Sequence, residues 1–410
     1  MTLKKKYRLS EVTGIELQYM VVDKSTLQVR PIVGLLFAEL AGRPVSDVQR
    51  GDVDLSNVIV SHVVELKTAK PTRNIARFRK KFHAEVKAIN VLLDKHGCML
   101  LPTGMHPFME PSTESVLWPH DHADEYALYN SIFDCRQHGW SNVQCMHLNL
   151  SFANDDEFAK LHAAVRVLLP ILPALSAASP ILEGRTGGSL DMRMEHYLKH
   201  QRKVPELMGQ LIPEALFDQE DYYREVFAPI AKALARYDKQ GILDHHFANT
   251  RGAVARFDRG SIEIRVIDEQ ECPGADLAIA ELVTTVLKGL CNGKWMSSYI
   301  QRAWHESDLL AIFKDAIAKA GRASISNVEY LRTFGIEGEK SSINSIWRKL
   351  FEDVRNELSP SCQEHITLLL DRGCLASRIV ARTGKQPDRS KLVEVYGELA
   401  ECLANDKAFV

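Results

Sequence analysis

Residues 143–152 read Val-Gln-Cys-Met-His-Leu-Asn-Leu-Ser-Phe. Successive side chains of a β-strand point to opposite faces. Met146, Leu148, Leu150 and Phe152 therefore share one face, and His147, Asn149 and Ser151 share the other. Such a strand covers a core on one side and presents imidazole and amide groups on the other. Residues 260–268 divide the same way, with Ile262, Ile264 and Val266 opposed to Ser261, Glu263 and Arg265. In the β-rich stretch 14–23, Glu16 and Gln18 share a face. A further β-rich stretch, 58–66, sets Glu65 among Val63, Val64 and Leu66, where a carboxylate is costly unless paired or ligating. A sheet face offering Glu, Gln, Glu, His and Glu, with an arginine beside the last, suits hard cations carrying phosphates. A merely solvated face would alternate in the same way, so the reading rests on its repetition over four segments.

The rest of the chain supplies helices. From 72 to 96 the residues Ile75, Phe78, Phe82, Val86, Ile89 and Leu93 form an amphipathic stripe, and Gly97 stops it. Residues 100–114 hold several prolines and glycines and read as a loop. Asn154 and the acids behind it cap a helix, because oxygen and negative charge suit free amides at a helix N-terminus. A Gly-rich turn follows at 183–188. After Pro273 the pattern is helical, with stripes such as Ile312, Phe313, Ile317 and Leu392, Val393, Val395, Tyr396. Strands mixed with long helices, without regular alternation, predict an α+β fold. Residues 1–273 would form a catalytic core and 274–410 a helical region packed on it, as one structural domain.

Composition narrows the function. The chain has 410 residues, 45% hydrophobic and 25% charged, with a formal net charge of −2. That balance creates no field drawing the protein to nucleic acid or membrane. The basic start, Met1 to Lys6, runs into no apolar stretch of signal length. The most apolar region, 165–178, is too short to span a bilayer and is broken by Pro170 and Pro173. Eight scattered cysteines form no CxxC pair, which predicts free thiols and a cytoplasmic location.

Six stretches occur in order: GIELQ (14–18), VELKT (64–68), GMHPF (104–108), MHLNL (146–150), EGRTGG (183–188) and RFDRGSIEIRVID (256–268). Together they resemble the type 2 glutamate–cysteine ligases, over roughly residues 8 to 300. The resemblance implies a glutamine synthetase-like curved antiparallel sheet with flanking helices, whose concave face holds ATP, Mg²⁺ (or Mn²⁺) and an amino acid. It implies metal ligation by Glu16, Gln18, Glu65, His147 and Glu263. Arg265, Arg193 and Arg256 would be catalytic; His106, Arg251, Asn149 and Arg185 would contact substrate or nucleotide. The implied reaction is activation of a carboxylate (the γ-carboxyl of glutamate) as an acyl phosphate, followed by capture by an amine such as cysteine. The expected partners are small amino acids and amines and further copies of the chain in a homo-oligomer, not nucleic acid or membrane. Three departures stand out: Gln18 replaces an acid, Cys145 a histidine and Asn149 a glycine. They bear on which substrates are joined.

Two rivals come from other classes. His120-Asp121-His122 and His245-His246 could serve a metal-dependent hydrolase, although zinc needs three or four convergent ligands. Gln18 also fits a non-catalytic relative that binds a partner through the same face. The basic helix with Arg73, Arg77, Arg79, Lys80 and Lys81 lacks a stacking platform for bases, and Gly184, Gly187 and Gly188 are followed by no GK[ST] sequence.

Overall fold

The computed structural model describes residues 6–410; the basic Met1–Lys5 start and the His245 side chain lie outside the described residues. Its centre is an antiparallel sheet of β1 (Thr13–Asp23), β2 (Asp47–Val48), β3 (Val53–Asn57), β4 (Val63–Thr68), β5 (Cys98–Leu101) and β6 (Cys145–Ser151). A short hairpin, β7 (Ile181–Leu182) and β8 (Arg185–Thr186), stands apart; β9 (Ala253–Arg256) and β10 (Ser261–Asp268) complete the sheet. The strand order is β2-β3-β4-β1-β6-β10-β9, with β5 also on β1. The fold is α+β, as the pattern predicts.

β1 is long enough to need two partners along one edge: β6 pairs with residues 13–17 and β5 with residues 20–23. That pairing places a strand at the start of the segment read as a loop. β4 begins at Val63 rather than 58. The preceding residues bond instead to the segment after Glu114, Ser61 N to Val116 O and Trp118 N to Ile59 O. Between β9 and β10 the chain reverses through Gly260, whose φ of +67° suits a residue without a Cβ.

The apolar faces of β1, β6 and β10 are covered by helices. Ile15, Leu17, Leu148, Leu150, Ile262 and Ile264 join Phe82 and Val86 of helix Arg79–Asp94, Phe158 of Asp155–Leu168, and Leu282 of Pro273–Cys291 in one core. Burying each such side chain contributes roughly 1.5–3 kcal/mol. The first helix carries the expected stripe, and Asn154 Oδ1 accepts the Glu157 amide at the second. Helices beyond 291 join this core too: Tyr330 donates to Val167 O at 2.7 Å and Trp347 to Ile171 O at 2.8 Å. With the helices on one face, the polar side chains of the same strands are left on the other.

Candidate functional site

Register decides which polar side chains meet. Glu16 pairs with His147 on β6 and with Lys67 on β4; Gln18 pairs with Glu65; Glu263 pairs with Asn149. Side chains directly opposite on one sheet face lie close enough to interact. The result is a cluster. His147 Nδ1 stands 2.9 Å from Glu16 Oε2 and 3.7 Å from Glu263 Oε1. Asn149 Nδ2 donates to Glu16 Oε1 at 3.2 Å. Gln18 Nε2 donates to Glu65 Oε2 at 3.1 Å. Arg265 Nε donates to Glu263 Oε1 at 2.6 Å, and Arg256 Nη1 lies 3.6 Å from Glu263 Oε2.

A bulge in β10 completes the arrangement. Ile264 pairs with Leu148 but Ile267 with Met146, so Arg265 and Val266 together stand opposite His147. Such an extra residue re-aims the strand and shifts its alternation. Beyond it Asp268 pairs with Cys145 and turns to the polar face. There it forms a fully buried ion pair with Arg193 Nε and accepts Ala178 N and Ser179 Oγ, both at 2.8 Å. Gly104 is required beside it, because a Cβ there would sit 2.4 Å from the Asp268 carboxylate.

A cavity of about 370 Å³ opens over Glu16, Gln18, Glu65, His147, Glu263 and Arg265, with Arg256 also on its wall. A smaller one of about 160 Å³ shares Gln18, His147 and Arg265 and is lined by Arg193, Cys145, Trp140 and Tyr197. Arg193 is 1% exposed, yet its Nη2 has no hydrogen-bond partner. Lys67, Tyr126, Tyr129 and Arg259 also line the larger cavity. Of these, Lys67 and Arg259 lie within the quoted stretches 64–68 and 256–268, and the two tyrosines carried no sequence signal.

The charges respond to their crowding. Burial, and then the charge of Glu16, push the Glu65 carboxyl up to about 7. Burial would raise Glu263 as well, but Arg265, His147 and Arg256 hold it down at about 2. Burial disfavours a charged His147; Cys145 and Glu16 at its two nitrogens nevertheless hold it well above its ordinary value. Glu16, His147 and Glu263 offer ligand atoms within 4.8 Å of one another. Two carboxylates and an imidazole suit Mg²⁺ or Mn²⁺, and a cation among them would offset the repulsion that raises Glu65. The donor set fits.

Four expected residues line neither cavity; Asn149, bonded to Glu16, lines a separate one with Gly14 and Thr68. His106 is wholly buried, bonds Leu27 O through Nε2 at 2.7 Å, and is driven by burial to about 3. Arg251 is held in a bidentate pair with Glu214, both contacts 2.6 Å. Arg185 is exposed on the β7–β8 hairpin, which turns through Glu183 and Gly184 at positive φ. The histidine pairs do not converge either, among the described residues. His120 packs on Trp118 with ring centroids 5.2 Å apart, His122 lies 3.3 Å from Glu125, and His246 lies 3.1 Å from Asp244. The basic helix is partly neutralised locally, with Arg79 on Asp406 and Lys81 on Asp52. No cysteine is in a disulfide among the described residues, and no helix among them is long and apolar enough to cross a membrane.

Comparison with known proteins gives the family and the fold. The model of a family described as glutamate–cysteine ligase family 2 (GCS2) matches residues 12–390. An uncharacterized protein of Archaeoglobus fulgidus is 28% identical over 397 residues, 97% of this chain and 100% of its own length. The fold is shared with the glutamate–cysteine ligase of Francisella tularensis in complex with AMP, with TM-score 0.62 and 12% identity over 97% of this chain and 90% of that one. It is shared also with a bifunctional glutathione synthetase from Pasteurella multocida, with TM-score 0.57 and 13% identity; that match covers 96% of this chain and 51% of that one.

Proposed function

The chain belongs to glutamate–cysteine ligase family 2, and from that membership we propose that it is an ATP-dependent carboxylate–amine ligase. One observation carries the proposal: Glu16, His147 and Glu263 converge on a sheet face that also holds Arg256 and Arg265. Acids with an imidazole and arginines are what phosphoryl transfer requires. That reaction depends on alignment and charge neutralisation more than on covalent help.

In this reading an oxygen of the substrate carboxylate attacks the γ-phosphorus of ATP. The bond to the bridging oxygen breaks and ADP leaves with the electron pair. The acyl phosphate then accepts the amine nitrogen at its carbonyl carbon, phosphate departs, and the amine gives up a proton. A divalent cation on Glu16, His147 and Glu263 would supply screening and alignment of the phosphate oxygens. Arg265 and Arg256, positioned by Glu263, meet the negative charge of the group in transit. A guanidinium suits this because its planar fork binds two oxygens and stays charged. Arg193, fixed by Asp268 on the wall of the smaller cavity, would hold a carboxylate or acyl phosphate there. Asn149 orients Glu16. Residues 1–273 act as the catalytic core and 274–410 as its helical support, within one domain.

The γ-carboxylate of glutamate is the first acid to test, and cysteine the first amine. The shared fold of the AMP-bound Francisella ligase supports a nucleotide in this chain as well. The alternatives are a metal-dependent hydrolase and a binding protein without turnover. A screen of acids and amines for ADP release separates them: a ligase needs both substrates, a hydrolase no ATP, and a binding protein releases none.

A further inference from the structure

The two cavities on the polar face meet over Gln18, His147 and Arg265, which line both. The larger holds the converging ligand atoms of Glu16, His147 and Glu263. Phosphates belong there, so the carboxylate under activation lies at the junction and the rest of the acid extends into the smaller cavity. That placement rests on the ligase reading above; the character of the smaller cavity does not.

In glutamate the end away from the γ-carboxylate carries two charges, an ammonium and a carboxylate. The smaller cavity, of about 160 Å³, is built for only one of them. Arg193 and Arg265 both line it, whereas Asp268 and Glu263, the carboxylates that hold those guanidiniums, do not. Among the described residues no Asp or Glu lines it at all. Neutral acceptors such as the Gln18 amide oxygen, which already accepts Cys145 Sγ at 3.2 Å, bring no charge to offset an ammonium. An ammonium there would leave water for a wall that carries cations and no anion, and a charge taken from water without a partner of opposite sign is costly. A carboxylate in the same place meets a guanidinium fork. Between the two ends, Val58, Val60 and Val143 line the cavity and suit a short run of methylenes.

We propose that the acid this chain prefers is a short dicarboxylate without an α-amino group, its far carboxylate on Arg193. Glutamate is then the poorer substrate, because of the ammonium it carries.

Calorimetric titration of the full chain with glutarate, glutamate and butyrate, in Mg²⁺ and a non-hydrolysable ATP analogue, tests this. Glutarate is glutamate without the amino group, and butyrate keeps the reacting carboxylate alone. Glutarate should bind on the order of 10-fold more tightly than either, and kcat/KM for ADP release with an amine present should favour it likewise. Glutamate bound as tightly as glutarate, or more tightly, would overturn the proposal and leave the ligase reading standing. Butyrate equal to glutarate would remove the far carboxylate from Arg193, and the proposal with it. Glutarate bound preferentially but never consumed with ATP and any amine of the screen would count instead against the ligase reading.

Discussion

Glu16 on β1 and His147 on β6 face each other across paired strands, with 2.9 Å between Oε2 and Nδ1. The contact joins two segments 131 residues apart and makes each side chain a neighbour of Glu263. Glu16→Gln should therefore weaken Mn²⁺ binding and lower turnover together, because an amide brings no negative charge to the cation. Stripping metal with EDTA should abolish activity, and added Mg²⁺ or Mn²⁺ should restore it. Full turnover by metal-free protein would remove the cation from the account.

Arg265 Nε lies 2.6 Å from Glu263 Oε1, and the β10 bulge sets it opposite His147. If it meets the phosphoryl group in transit, Arg265→Lys should lower kcat on the order of 10²-fold. The KM for ATP should change far less, since lysine keeps the charge but loses the two-pronged geometry. Steady-state kinetics with ATP varied checks this, and an unchanged kcat would return Arg265 to the role of a structural ion pair.

Gly104→Ala should act at a distance on Arg193. The new Cβ would fall 2.4 Å from the Asp268 carboxylate and force that buried pair apart. Separating buried partners costs about 3–5 kcal/mol, so the thermal midpoint should drop and the KM for the acid substrate should rise. Asp268→Asn should show the same pair of effects. A variant with native stability and native KM would show that the Arg193–Asp268 contact matters to neither.

Buried neutral histidines set an acid limit. Burial holds His62 at about 4 and His106 and His162 at about 3, whereas in the unfolded chain each titrates near 6.5. Below that value the unfolded state binds protons that the folded state refuses. The contribution of each of these histidines should thus be intact above about pH 6.5 and fall by about 1.4 kcal/mol per pH unit as pH drops toward 4, against the opposite drift of Glu65, whose raised carboxyl takes up its proton in the folded state first. Denaturant midpoints between pH 5 and 7.5 measure it. His106→Gln should flatten this slope and leave substrate KM values unchanged, because the side chain bonds Leu27 and not the cavity.

Much of this site was legible in the sequence because a strand's period of two carries both the core and the chemistry. Met146, Leu148 and Leu150 pointed inward, and His147 and Asn149 followed by alternation; Glu16, Glu263 and Arg265 were found in the same way. Alternation also has a limit. The bulge at Arg265 and Val266 shifts the period by one, so Asp268, the partner of Arg193, was not legible as a residue of the polar face. Loop motifs gave no direction at all: His106 and Arg185 sit in recognisable stretches, yet one turns into the core and the other to the surface. Short strands such as β5 and β9 exist because long neighbours need partners, a demand written in β1 and β10 rather than in their own residues. That Gln18 is engaged at both ends depended on Cys145, whose contact with it needed the paired register of β1 and β6.

The central claim is that the chain couples ATP cleavage to joining an acid and an amine. It is tested most directly by ADP release from the Mg²⁺-loaded protein with glutamate alone, with each amine alone, and with the pairs. The account predicts ADP in stoichiometric step with a new amide when acid and amine are both present, and little with either by itself. ADP release that ignores the amine in every combination, or amide-bond cleavage without ATP, would contradict it.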